Sequence, residues 1–187
     1  MNAEPLQPTL WRTCRILANE TRLRILAQLI RKQPQSVTQL ADLLTLSLPV
    51  ASQSLRALES RGLLKVKRIR RRVEYRLPTS AEAGALVNLI DALQASLRRE
   101  PLPTVQIIKL ATAFTHPSRI QIYRSLKSGQ KTQIQIQSAL RISSPALSRH
   151  LRKLITRGFV ALDDVGIYST LKHPHTIGRV LAEMALV

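Results

Sequence analysis

Residues 46–62 read LSLPVASQSLRALESRG, and residues 142–158 read ISSPALSRHLRKLITRG. Laid over one another without a gap at an offset of 96, eight of the 17 pairs are identical: Ser47/Ser143, Pro49/Pro145, Ser52/Ser148, Leu55/Leu151, Arg56/Arg152, Leu58/Leu154, Arg61/Arg157 and Gly62/Gly158. Upstream the offset becomes 97, where NETRLRIL (19–26) aligns with HPSRIQIY (116–123) and Arg22 with Arg119. The one-residue change falls between the polar stretches RKQPQS and KSGQK, where a surface loop absorbs it. A match over this span marks an internal repeat, so the chain is expected to hold two copies of one structural unit.

The repeated segment has the spacing of a helix. In the first copy Ala51, Leu55 and Leu58 recur on one face, while Pro49, Ser52, Gln53 and Arg56 fall on the other. Ser47 is placed to cap its N-terminus, Pro49 is tolerated in its first turn, and Gly62 fits a C-terminal cap. Upstream, Thr45 and Leu46 make a tight turn, preceded by a short helix over Val37–Leu44. Pro34 separates that helix from another over Thr21–Arg31, with Leu23, Leu26 and Ile30 inward, and Leu10, Trp11, Cys14 and Leu17 share one face of a first helix. Downstream, Leu63–Leu77 reads as two strands, because Val73, Tyr75 and Leu77 alternate with Arg72, Glu74 and Arg76; the hairpin tip is Arg70–Arg72. Two helices joined by a short turn and followed by a β-hairpin describe a helix-turn-helix with a wing.

The second half repeats the order, with helices expected over Thr104–Phe114, Arg119–Leu126, Ile134–Leu140 and Ser144–Thr156 and a hairpin over Phe159–Leu171. The stretch TQIQIQ (132–137) alternates as a strand would. Its alignment with the first copy makes most of it helix and leaves a short strand at its start open. Between the copies, residues 79–100 place Leu86, Ile90, Leu93 and Leu97 at helical spacing, with Thr79 and Glu82 as a capping box, and Pro101 and Pro103 stop this helix. A boundary near residue 101 gives domains of 1–100 and 101–187. With 17 basic and 8 acidic residues before it and 12 and 3 after it, each carries +9. The expected fold class is mainly α with small β-hairpin wings, arranged as two tandem winged helix-turn-helix domains.

Over the 187 residues, 29 Lys and Arg face 11 Asp and Glu, a formal charge of +18 that calls for a polyanionic partner. Apolar residues make up 44% of the chain and the charges are spread along it, which favours a folded basic protein over a disordered one. The single cysteine, Cys14, excludes an intrachain disulfide and any multi-cysteine zinc site. No apolar run approaches the roughly 18 residues of a membrane span, so no membrane partner is expected. The start MNAEPLQPTLW lacks a basic stretch followed by an apolar one, so no signal peptide is expected and a cytoplasmic location follows. Catalytic signatures are missing too, with no Walker loop, no H-E-x-x-H, no G-x-S-x-G and only six glycines, so an enzyme is not expected. Aromatics are 3% of the chain, which disfavours stacking recognition of single strands or RNA.

LANETRLRILAQL, followed by a Ser-x-x-Leu-x-x-Leu helix, Gly62 and a basic hairpin ending in YRL, resembles the ArsR family of winged-helix transcriptional regulators. SRHLRKL at Ser148–Leu154 is similar to that family's recognition helix, more closely than the first copy is. The resemblance covers about residues 10–77 and 107–171. It implies a dimeric bacterial or archaeal repressor whose terminal helices form the dimer interface and whose recognition helices enter successive major grooves. Two domains in one chain depart from that pattern, which leaves both a homodimer and an intrachain pseudo-dimer open.

Binding residues are expected on two recognition helices, 47–58 and 143–156, and on the first wing, 65–76. Ser47, Pro49, Ser52, Gln53, Arg56, Ser144, Ser148, Arg149, His150 and Arg152 are the helix candidates, because the major groove admits one helix and distinguishes all four base pairs. Gln53 suits adenine and Arg149 guanine. Lys65, Lys67, Arg68, Arg70, Arg71 and Arg72 are the wing candidates, since crowded like charges repel unless a polyanion offsets them. The matching wing, ALDDVGIYST, has no basic residue and carries Asp163 and Asp164, so it is expected to bind phosphate poorly. Arg22 and Arg119 fit either a structural pair or cap, or a backbone contact. No cofactor or metal is expected: SVTQLADLL lacks the cysteine pair of the family's arsenic and cadmium sensors, and His173, His175 and Glu183 echo its zinc site only weakly. Cys14 on an apolar face reads as core.

Double-stranded DNA is thus the expected partner and transcriptional repression the expected role. The rivals are a plasmid or viral replication initiator or segregation adaptor, a non-specific architectural DNA-binding protein, and a protein-interaction module of chromosome-organising complexes.

Overall fold

The computed structural model describes residues 9–70, 72–99 and 102–187. Its first half runs α1 (Leu10–Leu17), α2 (Glu20–Arg31), β1 (Gln35–Ser36), α3 (Val37–Leu44), α4 (Leu48–Glu59), β2 (Lys65–Ile69) and β3 (Arg72–Arg76). The second runs α7 (Thr104–Ala111), α8 (Pro117–Lys127), β4 (Lys131–Thr132), α9 (Gln133–Leu140), α10 (Ser144–Thr156), β5 (Val160–Leu162), β6 (Ile167–Thr170) and α11 (Thr176–Met184). Between them lie α5 (Ser80–Ala83), a 3-10 turn over Gly84–Leu86, α6 (Val87–Gln94) and a π-helical turn over Ala95–Arg99. The architecture is mainly helical with two small hairpins.

Matched caps start the matched helices. Asn19 accepts from the Arg22 amide at the start of α2, and His116 accepts from the Ser118 amide at the start of α8. Ser36 with Gln39 and Thr132 with Gln135 form capping boxes at α3 and α9. The second box resolves the alternation of TQIQIQ. Of its isoleucines, Ile136 is buried and Ile134 is exposed, so the segment has one helical core contact and not a strand face. The strand at its start, β4, is two residues long.

Each hairpin acquires a third short strand, in the orders β1-β3-β2 and β4-β6-β5. In the first sheet Lys65 pairs with Arg76 and Ile69 with Arg72, while Gln35 pairs with Tyr75. In the second, Val160 pairs with Thr170, and Lys131 and Leu162 both pair with Tyr168. Two-residue strands have no periodicity to read, so sequence pattern indicates the two hairpins and leaves only the second of these short strands open.

The helix expected over 79–100 is interrupted. Thr79 and Glu82 do form the capping box, but Gly84, at φ 52°, ends α5 after one turn. Leu86, Ile90, Leu93 and Leu97 are nonetheless all buried, so the apolar stripe was correctly placed and the continuity was not. The boundary residues Glu100 and Pro101 lie outside the described residues.

One hydrophobic core runs through both halves. Equivalent elements meet across it, α1 against α7 and α6 against α11, which is the pattern of an isologous interface. The second half also carries an aromatic cluster, with the Phe114 ring 4.8 Å from Phe159 and 5.4 Å from Tyr123, edge to face. The repeat aligns these three with Leu17, Leu63 and Leu26, all fully buried or nearly so. Edge-to-face pairs each add about 0.5–1.5 kcal/mol beyond burial, so the second half of the core is packed by different chemistry in the same frame.

Candidate nucleic-acid interface

Two backbone devices fix each recognition helix. Before it, Thr45 (φ 55°) and Arg141 (φ 52°) take the left-handed conformation at the ends of α3 and α9, turning the chain within three residues. Neither is glycine, and a β-branched residue such as Thr45 is strained there. After it, Gly62 (φ 70°) and Gly158 (φ 77°) close Schellman motifs. The Gly62 amide donates to the Glu59 carbonyl and the Leu63 amide to the Leu58 carbonyl; Gly158 and Phe159 donate to Ile155 and Leu154 in the same way. Leu58 with Leu63 and Leu154 with Phe159 are the buried partners that seal these caps. Ser47 and Ser143 hold the N-cap positions with extended backbones, yet their hydroxyls make no capping bond.

The outward face divides in two. Ser47, Pro49, Gln53 and Arg56 on α4 and Ser144, Arg149 and Arg152 on α10 are exposed. Ser52 is half-buried and its Oγ accepts from Arg56, at 2.9 Å from a terminal nitrogen and 3.3 Å from Nε, which fixes the guanidinium along the helix. Ser148 is turned toward α9, where Gln133 donates to its Oγ at 2.9 Å and is itself held by the Tyr168 hydroxyl at 3.3 Å. His150 is half-buried with its ring centroid 4.7 Å from that of His116. These two face the neighbouring helices, not open solvent.

In the first wing Lys67, Arg68, Arg70 and Arg72 are exposed and Lys65 is half-buried; Arg71 lies outside the described residues. Arg70 sits at φ 53° between the paired Ile69 and Arg72. Arg76 is engaged otherwise. It forms a bidentate pair with Glu82, both bonds 2.7 Å, and Glu82 also accepts from the Thr79 amide and hydroxyl. Those bonds, Arg76 first, hold the Glu82 carboxyl down at about 2. This is the one ion pair among the described residues, so the remaining cations of the wing have no carboxylate partner there. In the second wing Asp163 Oδ1 accepts from the Val165 and Ile167 amides, closing a turn, while Asp164 is exposed.

Where the second wing lacks cations, the body of the second half gathers them. Arg15 of α1 donates to the Thr115 carbonyl, and Arg119 donates to the Ala113 and Thr112 carbonyls and to the Thr115 hydroxyl. Arg157 donates to the Thr112 hydroxyl. Three guanidiniums thus converge on the loop between α7 and α8, complementing the helix C-terminus. Burial and then the neighbouring cations push down His116 (Arg119, Arg15) and Lys153 (Arg157, Arg119), and His150 is lowered by burial, then by His116, Arg119 and Arg149. Arg119 therefore acts as a cap. Arg22, its counterpart, has its Nε buried without a partner.

Residues 17–67 match a family model described as a helix-turn-helix domain, and residues 116–161 match that of bacterial regulatory proteins of the arsR family. The chain carries two helix-turn-helix domains. The first match spans α2 to the start of the wing and the second spans α8 to β5, so both fall on the repeated unit. Only the second domain matches the arsR model, in keeping with the closer resemblance of SRHLRKL. Neither model describes a catalytic domain. No curated protein and no solved structure matches the chain.

Outside the two helix-turn-helix surfaces, other candidate groups are committed to packing. His173 is buried in the second domain, its ring 5.0 Å from Phe159 and its Nδ1 accepting from the His175 amide. Among the described residues no three His, Cys, Asp or Glu side chains gather as a metal-binding group. Cys14 is fully buried, and burial pushes its thiol far above the ordinary range. No described helix is long and apolar enough to cross a membrane. The His116–His150 pair and the convergence on Thr112–Thr115 escaped sequence reading, because their members are spread from residue 15 to residue 157. The signal available was Arg119 aligned with Arg22.

Proposed function

We propose that this chain is a sequence-specific regulator of transcription that binds double-stranded DNA and acts as a repressor. The observation that carries the reading is the pair of recognition helices, α4 and α10, each set between the same left-handed turn and the same Schellman cap within a helix-turn-helix domain. On this reading residues 47–58 and 143–156 enter major grooves, and the first wing, 65–76, grips flanking phosphates. Domains 1–100 and 101–187 act as an intrachain pseudo-dimer, and their recognition helices lie about 34 Å apart, one turn of DNA. The arsR match of the second domain supports a regulatory role in a bacterial setting, and repression is what the resemblance to that family implies.

The isologous meeting of α1 with α7 and α6 with α11 favours half-sites related by a dyad. A replication initiator or segregation adaptor would instead select direct repeats. Genomic fragments bound by the purified protein at about 150 mM salt with competitor DNA should therefore yield a short motif of two inverted, dissimilar halves. Direct repeats would favour the initiator. Binding without an enriched motif would leave an architectural protein and contradict the proposal.

A further inference from the structure

The first turn of α4 holds three consecutive apolar residues, Leu48, Pro49 and Val50, and all are exposed; Leu48 keeps 53% of its surface and Val50 42%. They are not part of the core seam, which Ala51, Leu55 and Leu58 fill. Nor does the fold demand their bulk. The same positions in the second domain are Ser144, Pro145 and Ala146, on a helix with the same turn before it and the same cap after it. The same domain is cationic elsewhere: Arg56 is exposed further along the helix, and the wing carries exposed lysines and arginines that have no carboxylate partner among the described residues. An apolar tip on an otherwise cationic domain complements a polyanion that presents apolar groups.

Duplex DNA does this at one place. The residues at the N-terminus of a recognition helix are those that reach base edges, and the apolar group on the major-groove edges of the bases is the thymine 5-methyl. We propose that Leu48 and Val50 are specificity residues that recognise thymine methyl groups in the half-site bound by the first domain. The half-site of the second domain, met by Ser144, Ala146 and Arg149, lacks this requirement. The two half-sites then differ in chemistry although the two domains share a backbone. This inference rests on the DNA-binding reading above.

Thymine-to-uracil replacement removes one methyl and leaves base pairing intact. In a selected duplex, replacing the thymines of the first half-site one at a time should weaken binding about fourfold for each contacted methyl, the factor expected for one buried methyl-sized group. The same replacement in the second half-site should change nothing. The double substitution Leu48→Ser and Val50→Ala, taken from the second domain, should bind thymine and uracil duplexes equally while keeping its affinity for random DNA, which reports an intact fold. Binding by the natural protein that ignores the uracils would overturn the inference and leave the DNA-binding reading standing. So would a double variant that still discriminates but sediments as a smaller species, since the apolar tip would then join copies of the chain. No binding to any duplex would overturn the DNA-binding reading, and the inference with it.

Discussion

Gly178 lies inside α11, where alanine is ordinarily the better helix former by about 1 kcal/mol. Here the sign reverses. A Cβ at this position would fall well inside contact distance of the His173 ring, at Nδ1 and Cγ, and that ring is pinned against Phe159 and bonded to the His175 amide. Gly178→Ala is expected to destabilise the protein by roughly 1–3 kcal/mol in urea unfolding, the usual cost of overpacking. An unchanged or raised midpoint would contradict the packing. The histidines also set a pH dependence. His116, His150 and His173 are all held below the ordinary imidazole value, each by burial first. Below about pH 6.5 the unfolded chain takes up protons that the folded one resists. Stability from these groups is therefore full above that pH and falls as pH is lowered through it. The urea midpoint should be lower at pH 5.5 than at pH 7.5, and the difference should shrink in a His116→Gln/His150→Gln variant. A midpoint indifferent to pH would refute the burial of His173 and the partial burial of His116 and His150. Glu82 acts in a separate window, since its stabilisation is lost only below about pH 4.5 and falls through about 2.

At the scale of elements, the two wings make opposite predictions. Replacing Arg68, Arg70 and Arg72 by alanine should weaken binding to specific and random duplexes alike and flatten the salt dependence by up to about three units of slope. A slope that does not move would exclude the wing from phosphate contact. In the second wing the two aspartates are not equivalent. Asp163 closes its turn through two backbone amides, so Asp163→Ala should cost about 1 kcal/mol of stability, whereas Asp164→Lys should leave stability intact and raise affinity for random DNA. Equal effects on stability would contradict the geometry. The elements themselves were legible where pattern is long or repeated: α4 and α10, the hairpins, the buried stripe Leu86–Leu97 and the caps at Gly62 and Gly158. What was illegible had local or non-local causes. The break at Gly84 is a single left-handed residue within an unbroken apolar stripe. The third strands are too short to have a period, and only the one at the start of TQIQIQ is left open by the sequence. The engagement of Arg76 by Glu82, of Ser148 by Gln133 and of His150 by His116 depends on which neighbour packs against a strand or helix, and no spacing within that element encodes it.

At the scale of the whole molecule, one chain is proposed to do the work of two. The core is continuous between the halves, equivalent helices meet across it, and equal charge is placed differently, on an exposed wing in one half and around the Thr112–Thr115 loop in the other. On the proposed reading, a single chain so built presents both recognition helices to one duplex and fixes which half-site each meets. The most direct measurement is the mass of the complex formed by the purified protein on a selected duplex carrying one bipartite site. The expected result is one chain on each duplex from a protein that is monomeric when free. Two chains on each duplex would contradict the intrachain pseudo-dimer and return the protein to an ordinary dimeric mode of binding.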